Sequence, residues 1–549
     1  MFDIPELDGL ISQKLGRRDL AQCARVCKRW YRIVVPYIWR ELSFMSFSIQ
    51  QQAAFVQLVV DDYLQERQHQ RQQKEGYSMD QWLPLQPSRP LARYGHLVQR
   101  LTCSYVLEQY FEEHSSRLRE QVPDGYDILS KSVIMEHLYK QCPNFRNDIV
   151  TILTKDLGSI LTELARKYIL PRTRCLVFYY NAWSITSLKL KALLNVFSAL
   201  EDLTLSVNIH DDVNESEKDL DQEVSESWKL RRLRLKHCSD KSNNKVFWPW
   251  LWKRCLHVDS LEVDNIWDGI SQHLVDNGIA YMSKLNKIHI GESLWTGEMI
   301  EALLSVSYKW EEVSLGFDGE AFSPMAHLMM HSLTLERIAL IGNCGVTHTQ
   351  KAPLLACCPN LRDYTDIDKE SSPRRRSTGF NAHTFIDQDP DAGYLKRWEC
   401  EASLKVFKAN IAGIPRPDLD GNKMGEVYPG QGRDIQSQVY DRLARFINLE
   451  TLWLGVGDWN DAAVNCLEMS LESGLDKISG LKALKELDVS GMKTRIGENE
   501  VRWMAEQWPK LHTIRGLMWW GSDKEAVKWL KHHHPEISWK QPRTTHRTF

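Results

Sequence analysis

Leu200-Glu201-Asp202-Leu203-Thr204-Leu205-Ser206-Val207-Asn208 carries a phrase that returns along most of the chain. Alternate residues of a strand leave opposite faces, so Leu203 and Leu205 point the same way, while Leu200 anchors the turn into the strand. Asn208 stands where the chain leaves the strand and backbone groups need partners. The phrase recurs as Leu230-x-x-Leu233-x-Leu235-x-x-Cys238, Val258-x-x-Leu261-x-Val263, Leu285-x-x-Ile288-x-Ile290, Trp310-x-x-Val313-x-Leu315 and Leu335-x-x-Ile338-x-Leu340-x-x-Asn343. It returns at Leu404-x-x-Phe407-x-Ala409, Leu449-x-x-Leu452-x-Leu454, Leu484-x-x-Leu487-x-Val489 and Leu511-x-x-Ile514, with earlier forms at Val98-x-x-Leu101-x-Cys103 and Thr173-x-x-Leu176-x-Phe178.

Between these strands lie stretches with helical spacing, such as 461–471 and 498–507, and several end in proline just before the next strand: Cys142-Pro143-Asn144-Phe145, Cys358-Pro359-Asn360-Leu361 and Trp508-Pro509-Lys510-Leu511. Proline stops a helix and sets an extended entry to the strand. From Leu203 to Ile338 the step is roughly 25 to 30 residues, and the phrase resembles leucine-rich repeats in degenerate form, since only Asn208, Cys238 and Asn343 fill its last position. The resemblance implies an α/β solenoid, horseshoe-like with irregular repeats, over residues 95–540. Loops are expected near 208–227, 366–391 and 414–438, where the sequence turns acidic, Arg-rich or rich in Gly and Pro.

Outward from the repeats, the first forty-odd residues hold three short helical stripes: Leu7, Leu10, Ile11 and Leu15; then Leu20, Cys23 and Cys27; then Val26, Trp30, Ile33, Val34 and Tyr37. Pro5 suits a first helical turn, Gly16 a stop, and Asp19 a cap at the positive end of the next helix. So small a unit leaves apolar surface over, to be covered by a partner or by the next domain. Ile4-Pro5-Glu6-Leu7, Asp19-Leu20, Val26-Cys27-Lys28-Arg29-Trp30 and Trp39-Arg40-Glu41-Leu42 resemble the F-box. That resemblance covers 2–44 and implies docking on the Skp adaptor of Skp-cullin-F-box ubiquitin ligases, and through it on cullin. The adaptor-facing candidates are Ile4, Pro5, Leu7, Ile11, Leu15, Leu20, Val26 and Trp30, some of which must fill the module's own core. A helical linker and Gln/Pro-rich joint is expected over 45–94.

At 549 residues, 43% apolar and 26% charged, the chain is globular and too long for one core. A formal net charge of -3 gives no global pull toward nucleic acid. Arg17, Arg18, Arg25, Lys28, Arg29, Arg32 and Arg40 make the first segment basic, but large apolar residues such as Trp30 and Trp39 would be wasted on phosphates. Twelve cysteines follow no framework and no leader precedes Ile4, so a cytoplasmic or nuclear setting with reduced thiols is expected. No run of eighteen apolar residues predicts a membrane span.

No phosphate-binding Gly-Lys-Ser/Thr loop, His-Glu-x-x-His or nucleophile elbow occurs, and His532-His533-His534 lacks partners at ligand spacing. No catalytic residue, metal site or cofactor is therefore expected. The expected working surface is the outward side of the strands, with Arg232, Arg234, Glu262, His289 and an exposed Trp453 as target-binding candidates. Mixed signs there suit a protein target better than a polyanion. These features lead to the expectation of a non-enzymatic substrate receptor, with a repeat scaffold unattached to a ligase as the alternative.

Overall fold

The computed structural model describes residues 17–43 except 27, 49–74, 90–102 except 98 and 99, 137–142 except 139, and 150–152. It further describes 174–540 apart from 196, 198, 211–227, 241–246, 292–294, 308, 317–323, 343–345, 368–378, 390, 392–393, 415–430, 456–465, 491, 493 and 518–522. The chain divides into two compact units, 1–257 and 258–549.

The first unit opens with α1 (Arg17–Val26) packed against α2 (Lys28–Arg40). Their inward residues, Leu20, Val34 and Val35, follow the helical stripes, and Asp19 lies in the first turn of α1 as the sequence suggests. Strand β1 (Glu41–Ser43) then pairs in parallel with β2 (Arg100–Thr102), Leu42 opposite Leu101. Helix α3 (Ile49–Lys74) buries Phe55, Val59, Val60, Asp62 and Tyr63, and the short α4 (Pro90–Tyr94) buries Leu91. The Gln-rich end of α3 stays helical to Lys74.

Four parallel strands come next in this unit: β3 (Val150–Ile152), β4 (Cys175–Thr186), β5 (Asp202–His210) and β6 (Arg232–Lys236). Helix α5 (Ser187–Asn195) follows β4. The two-residue β7 (Ser239–Asp240) also pairs with β5, and α6 (Phe247–Trp252) closes the unit on a tryptophan-rich core. Cys238, in the phrase's last position, is buried, and its thiol reaches the Leu205 carbonyl at 3.3 Å.

The second unit is a parallel sheet in the order β8 (Ser260–Asp264), β9 (Lys287–Ile290), β10 (Glu312–Leu315), β11 (Arg337–Ile341), β12 (Asp363–Ile367), β14 (Val406–Ala409), β16 (Thr451–Trp453), β17 (Glu486–Asp488), β18 (Thr513–Arg515) and β19 (Ser538–Lys540). Parallel neighbours need crossovers. They include α7 (Asp268–His273), α8 (Gly297–Ser305), α9 (Met325–Met330), α10 (His348–Cys357), α12 (Gln431–Ala444), α13 (Glu498–Gln507) and α14 (Asp523–His533). Leu261, Ile288, Val313, Ile338, Tyr364, Phe407, Leu452, Leu487 and Ile514 form one buried row across the strands. Each such side chain contributes about 1.5 to 3 kcal/mol. Every phrase quoted from the sequence coincides with a strand of one unit or the other.

The sequence reading misplaces three features. β12 is absent from the phrases, because its second inward position is Asp366, a polar residue that the apolar pattern passes over. The expected loop at 366–391 instead holds β13 (Phe380–Asn381) and α11 (Ala382–Ile386), with Phe380, Phe385 and Ile386 buried and β13 paired with β15 (Ile411–Ala412). Arg442 of α12 fastens this piece: its guanidinium donates to the Ile386 and Lys396 carbonyls and to Glu401, and stacks on Trp398. The expected loop at 414–438 gives way to α12 from Gln431. The acidic 211–227 and the Arg374–Arg376 run lie outside the described residues, as does Asn343. Among the described residues no helix is long and apolar enough to cross a membrane.

Candidate functional site

The adaptor-facing candidates separate once burial is known. Leu20, on α1 where that helix packs against α2, is only 4% exposed. Val26, at the end of α1, is 72% exposed, and Tyr31 of α2 is exposed beside it in sequence. Trp30 is half-buried. Ile4, Pro5, Leu7, Ile11 and Leu15 lie outside the described residues.

Two contacts tie this helical pair to the chain further on. The Trp39 ring stacks on Tyr94 with centroids 5.4 Å apart, and the Tyr31 and Tyr94 hydroxyls hydrogen-bond each other, which raises the Tyr94 phenol above its ordinary range. Tyr94 thus holds α2, and β2 holds the strand β1 that follows it, contributions that no local spacing in the sequence signals.

On the strands, the target-binding candidates fall in the outward rows. Arg232 and Arg234 of β6 belong to the first unit, and Arg232 meets Asp202 at 3.0 Å. In the second unit, register places Glu262, His289, Ser314, Ala339, Thr365, Lys408 and Trp453 in one row across β8 to β16. Five strand steps at about 4.8 Å put His289 and Trp453 roughly 24 Å apart. Trp453 does not stand free, as expected from alternation. It is 9% exposed, and the Lys408 ammonium lies over its ring at 4.1 Å.

The adjoining row is charged and largely self-paired. Lys287 reaches Glu312 at 2.6 Å and Arg337 reaches the same carboxylate at 3.2 Å, while Glu486 of this row meets Arg515, in register with Trp453 in the first row, at 2.7 Å. Such ladders neutralise the sheet face locally, and a partner must compete with them. Burial pushes the Asp363 carboxyl above its ordinary range, opposed by the Thr365 hydroxyl and the charges of Lys408 and Arg337. The Lys485 ammonium instead holds Glu450 below the usual range.

One group in the first unit has ligand chemistry. Asp62 and Glu66 of α3 meet His137, which belongs to a helical turn at 137–141: His137 Nε2 lies 2.9 Å from Asp62 Oδ2, and Nδ1 lies 3.5 Å from Glu66 Oε2. Gln141 donates to Glu66 Oε2 at 2.8 Å, and the Tyr63 ring meets the imidazole edge-on. The separation of 75 positions between Asp62 and His137 hides the group from any spacing rule.

The F-box-like family model matches residues 9–45 of this chain. A comparison with curated proteins finds none that matches. The chain thus carries an F-box-like domain in its helical N-terminal region, followed by an α/β body with parallel sheets.

Proposed function

We propose that the F-box-like domain docks on a Skp-type adaptor, and through it on cullin. The body, taken as irregular leucine-rich repeats, then holds a target protein for ubiquitination. In this reading the chain is not an enzyme. It supplies proximity between a target and the ubiquitin-conjugating machinery, with the chemistry left to its partners.

The observation that carries the reading is the F-box-like match over 9–45. The exposed Val26 at the end of α1 supports it, because an apolar side chain left on so small a helical unit calls for a partner. The outward row of the second unit supports the second half. Its middle residues, Ser314, Ala339 and Thr365, are small, and His289 and the Lys408–Trp453 pair flank them, which suits a side chain or backbone of a protein partner more than a chain of phosphates.

Full-length chain carrying Val26→Asp, co-expressed with the adaptor, tests the docking. The substitution puts a charge on an exposed position, so melting of the free chain should hardly move. Adaptor affinity should fall at least about tenfold, or about 1.4 kcal/mol. Adaptor and cullin absent from the wild-type complex would leave a repeat scaffold with no ligase attached.

A further inference from the structure

We propose that Glu66 and His137, oriented by Asp62, form a binding site for a divalent transition-metal ion of the zinc class that staples α3 to the helical turn at 137–141. Asp62 and Glu66 are four residues apart on α3, so both carboxylates leave the same face, and His137 arrives from a segment 75 residues away from Asp62. One ligand atom from each of the three residues lies within 4.8 Å of the other two. The site is enclosed: Asp62 is 1% exposed and His137 4%, with Glu66 on the solvent side.

The two distances around the imidazole assign different roles to the two carboxylates. At 2.9 Å, His137 Nε2 and Asp62 Oδ2 are at ordinary hydrogen-bond length. If Nε2 carries the proton and donates it to Asp62, the tautomer is fixed and the lone pair sits on Nδ1. The gap from Nδ1 to Glu66 Oε2 is 3.5 Å, long for a charge-assisted hydrogen bond of about 2.7 to 2.9 Å. It is close to the roughly 3.4 Å expected between two ligands about 2.0 to 2.1 Å from one tetrahedral ion. A ligating histidine whose other nitrogen is held by a carboxylate is a recurring arrangement around zinc, and Gln141 orients Glu66 in the same way. The nitrogen donor favours zinc-class ions over magnesium or calcium, which prefer oxygen throughout.

Cys142 lies at the end of the same turn, buried, and burial with the nearby Asp62 charge pushes its thiol up to about 12. Its thiol is not among the ligand atoms that lie within 4.8 Å of one another, so it stands outside the ligand set. Water completes the coordination.

The full-length chain is freed of metal with a chelator and titrated with Zn²⁺, and then with Co²⁺ as a spectroscopic stand-in. One Zn²⁺ should bind and raise the melting temperature, and chelator should reverse the rise. His137→Gln and Glu66→Gln should each lose that ion, while Asp62→Asn should bind it about 10 to 100 times more weakly. Glu66 is partly exposed, so its variant should fold and separates loss of binding from loss of structure. The visible Co²⁺ spectrum should be tetrahedral and free of a thiolate band. No Zn²⁺-dependent rise in the wild type, or zinc binding unchanged in both the histidine and glutamate variants, overturns the site and leaves an ion pair alone. The site lies outside residues 9–45, so adaptor docking can fail or succeed independently of it.

Discussion

Asp366 occupies a position that the neighbouring strands give to apolar side chains, Leu340 on one side and Ala409 on the other. It is tolerated because Lys351 of α10 reaches it at 2.7 Å, both side chains being buried, while the same ammonium donates to the Gly379 carbonyl at 3.1 Å. A buried pair of this kind contributes little beyond well-packed apolar residues, but breaking it strands a charge. Lys351→Met should therefore cost about 3 to 5 kcal/mol, and Lys351→Met with Asp366→Leu should recover most of it. Denaturant unfolding of the four members of that cycle measures the coupling; equal losses in the single and double variants would contradict it. Asp363 gives the pH counterpart. Burial raises its folded-state pKa above the ordinary value of 3.8, so the folded chain takes up that proton more readily than the unfolded one. The group's stabilising contribution is then complete below the unfolded pKa and lost as pH rises through the folded one. Asp363→Asn should accordingly flatten the fall in melting temperature from about pH 4 upward. A fall of unchanged steepness would sink the assignment.

At the level of elements, the strands were legible and some of what lies between them was not. A strand that sends two apolar residues inward, preceded by an apolar anchor, repeats the same short phrase wherever it occurs, and the parallel pairing follows its register. β12 slipped through because Asp366 breaks that phrase, and the pairing of Lys351 with it is a long-range fact. β13 and α11 slipped through because Phe380, Phe385 and Trp398 follow no period; they cohere through mutual ring contacts and through Arg442. Trp453 shows the limit of alternation, which gave its row correctly but not the Lys408 side chain that covers it. Among the candidate site residues, Val26 could be read as surface and Leu20 could not be told from it, since both lie on short apolar stripes. The Arg442 contacts yield a prediction for the element they fasten. Arg442→Met removes donors from the Ile386 and Lys396 carbonyls and leaves Glu401, itself largely enclosed, with the Trp398 amide at 3.1 Å and, as its cation, the longer Arg445 contact at 3.6 Å. The loss should be about 3 to 5 kcal/mol. Hydrogen exchange should show it first in residues 380–387 and 396–402, with β9 and β10 still protected. Uniform loss of protection across the second unit would mean that Arg442 supports more than this piece.

Taken as a whole molecule, the chain puts its F-box-like stretch at one end of a unit that runs to residue 257, and the two are not independent. The match ends at residue 45, yet β1 finds its partner at 100–102 and Trp39 its stacking partner at Tyr94. A helical unit of about forty residues is marginal on its own. An aromatic pair adds about 0.5 to 1.5 kcal/mol beyond burial, and a three-residue parallel pairing more, so a fragment lacking both should be folded only part of the time. Apparent affinity scales with the folded fraction, because only the competent state binds. A fragment of residues 1–102 should therefore hold the adaptor within about threefold of the full chain, whereas residues 1–45 should bind roughly tenfold or more weakly. Excess adaptor should recover the shorter fragment's binding by pulling its equilibrium toward the folded form, and circular dichroism should show helix content rising as it does. Equal affinity of the two fragments would mean that β1, β2 and Tyr94 serve the body alone. Binding by neither fragment, with the full chain also silent, would remove the proposed ligase role and leave the outward strand surface as the candidate for a partner.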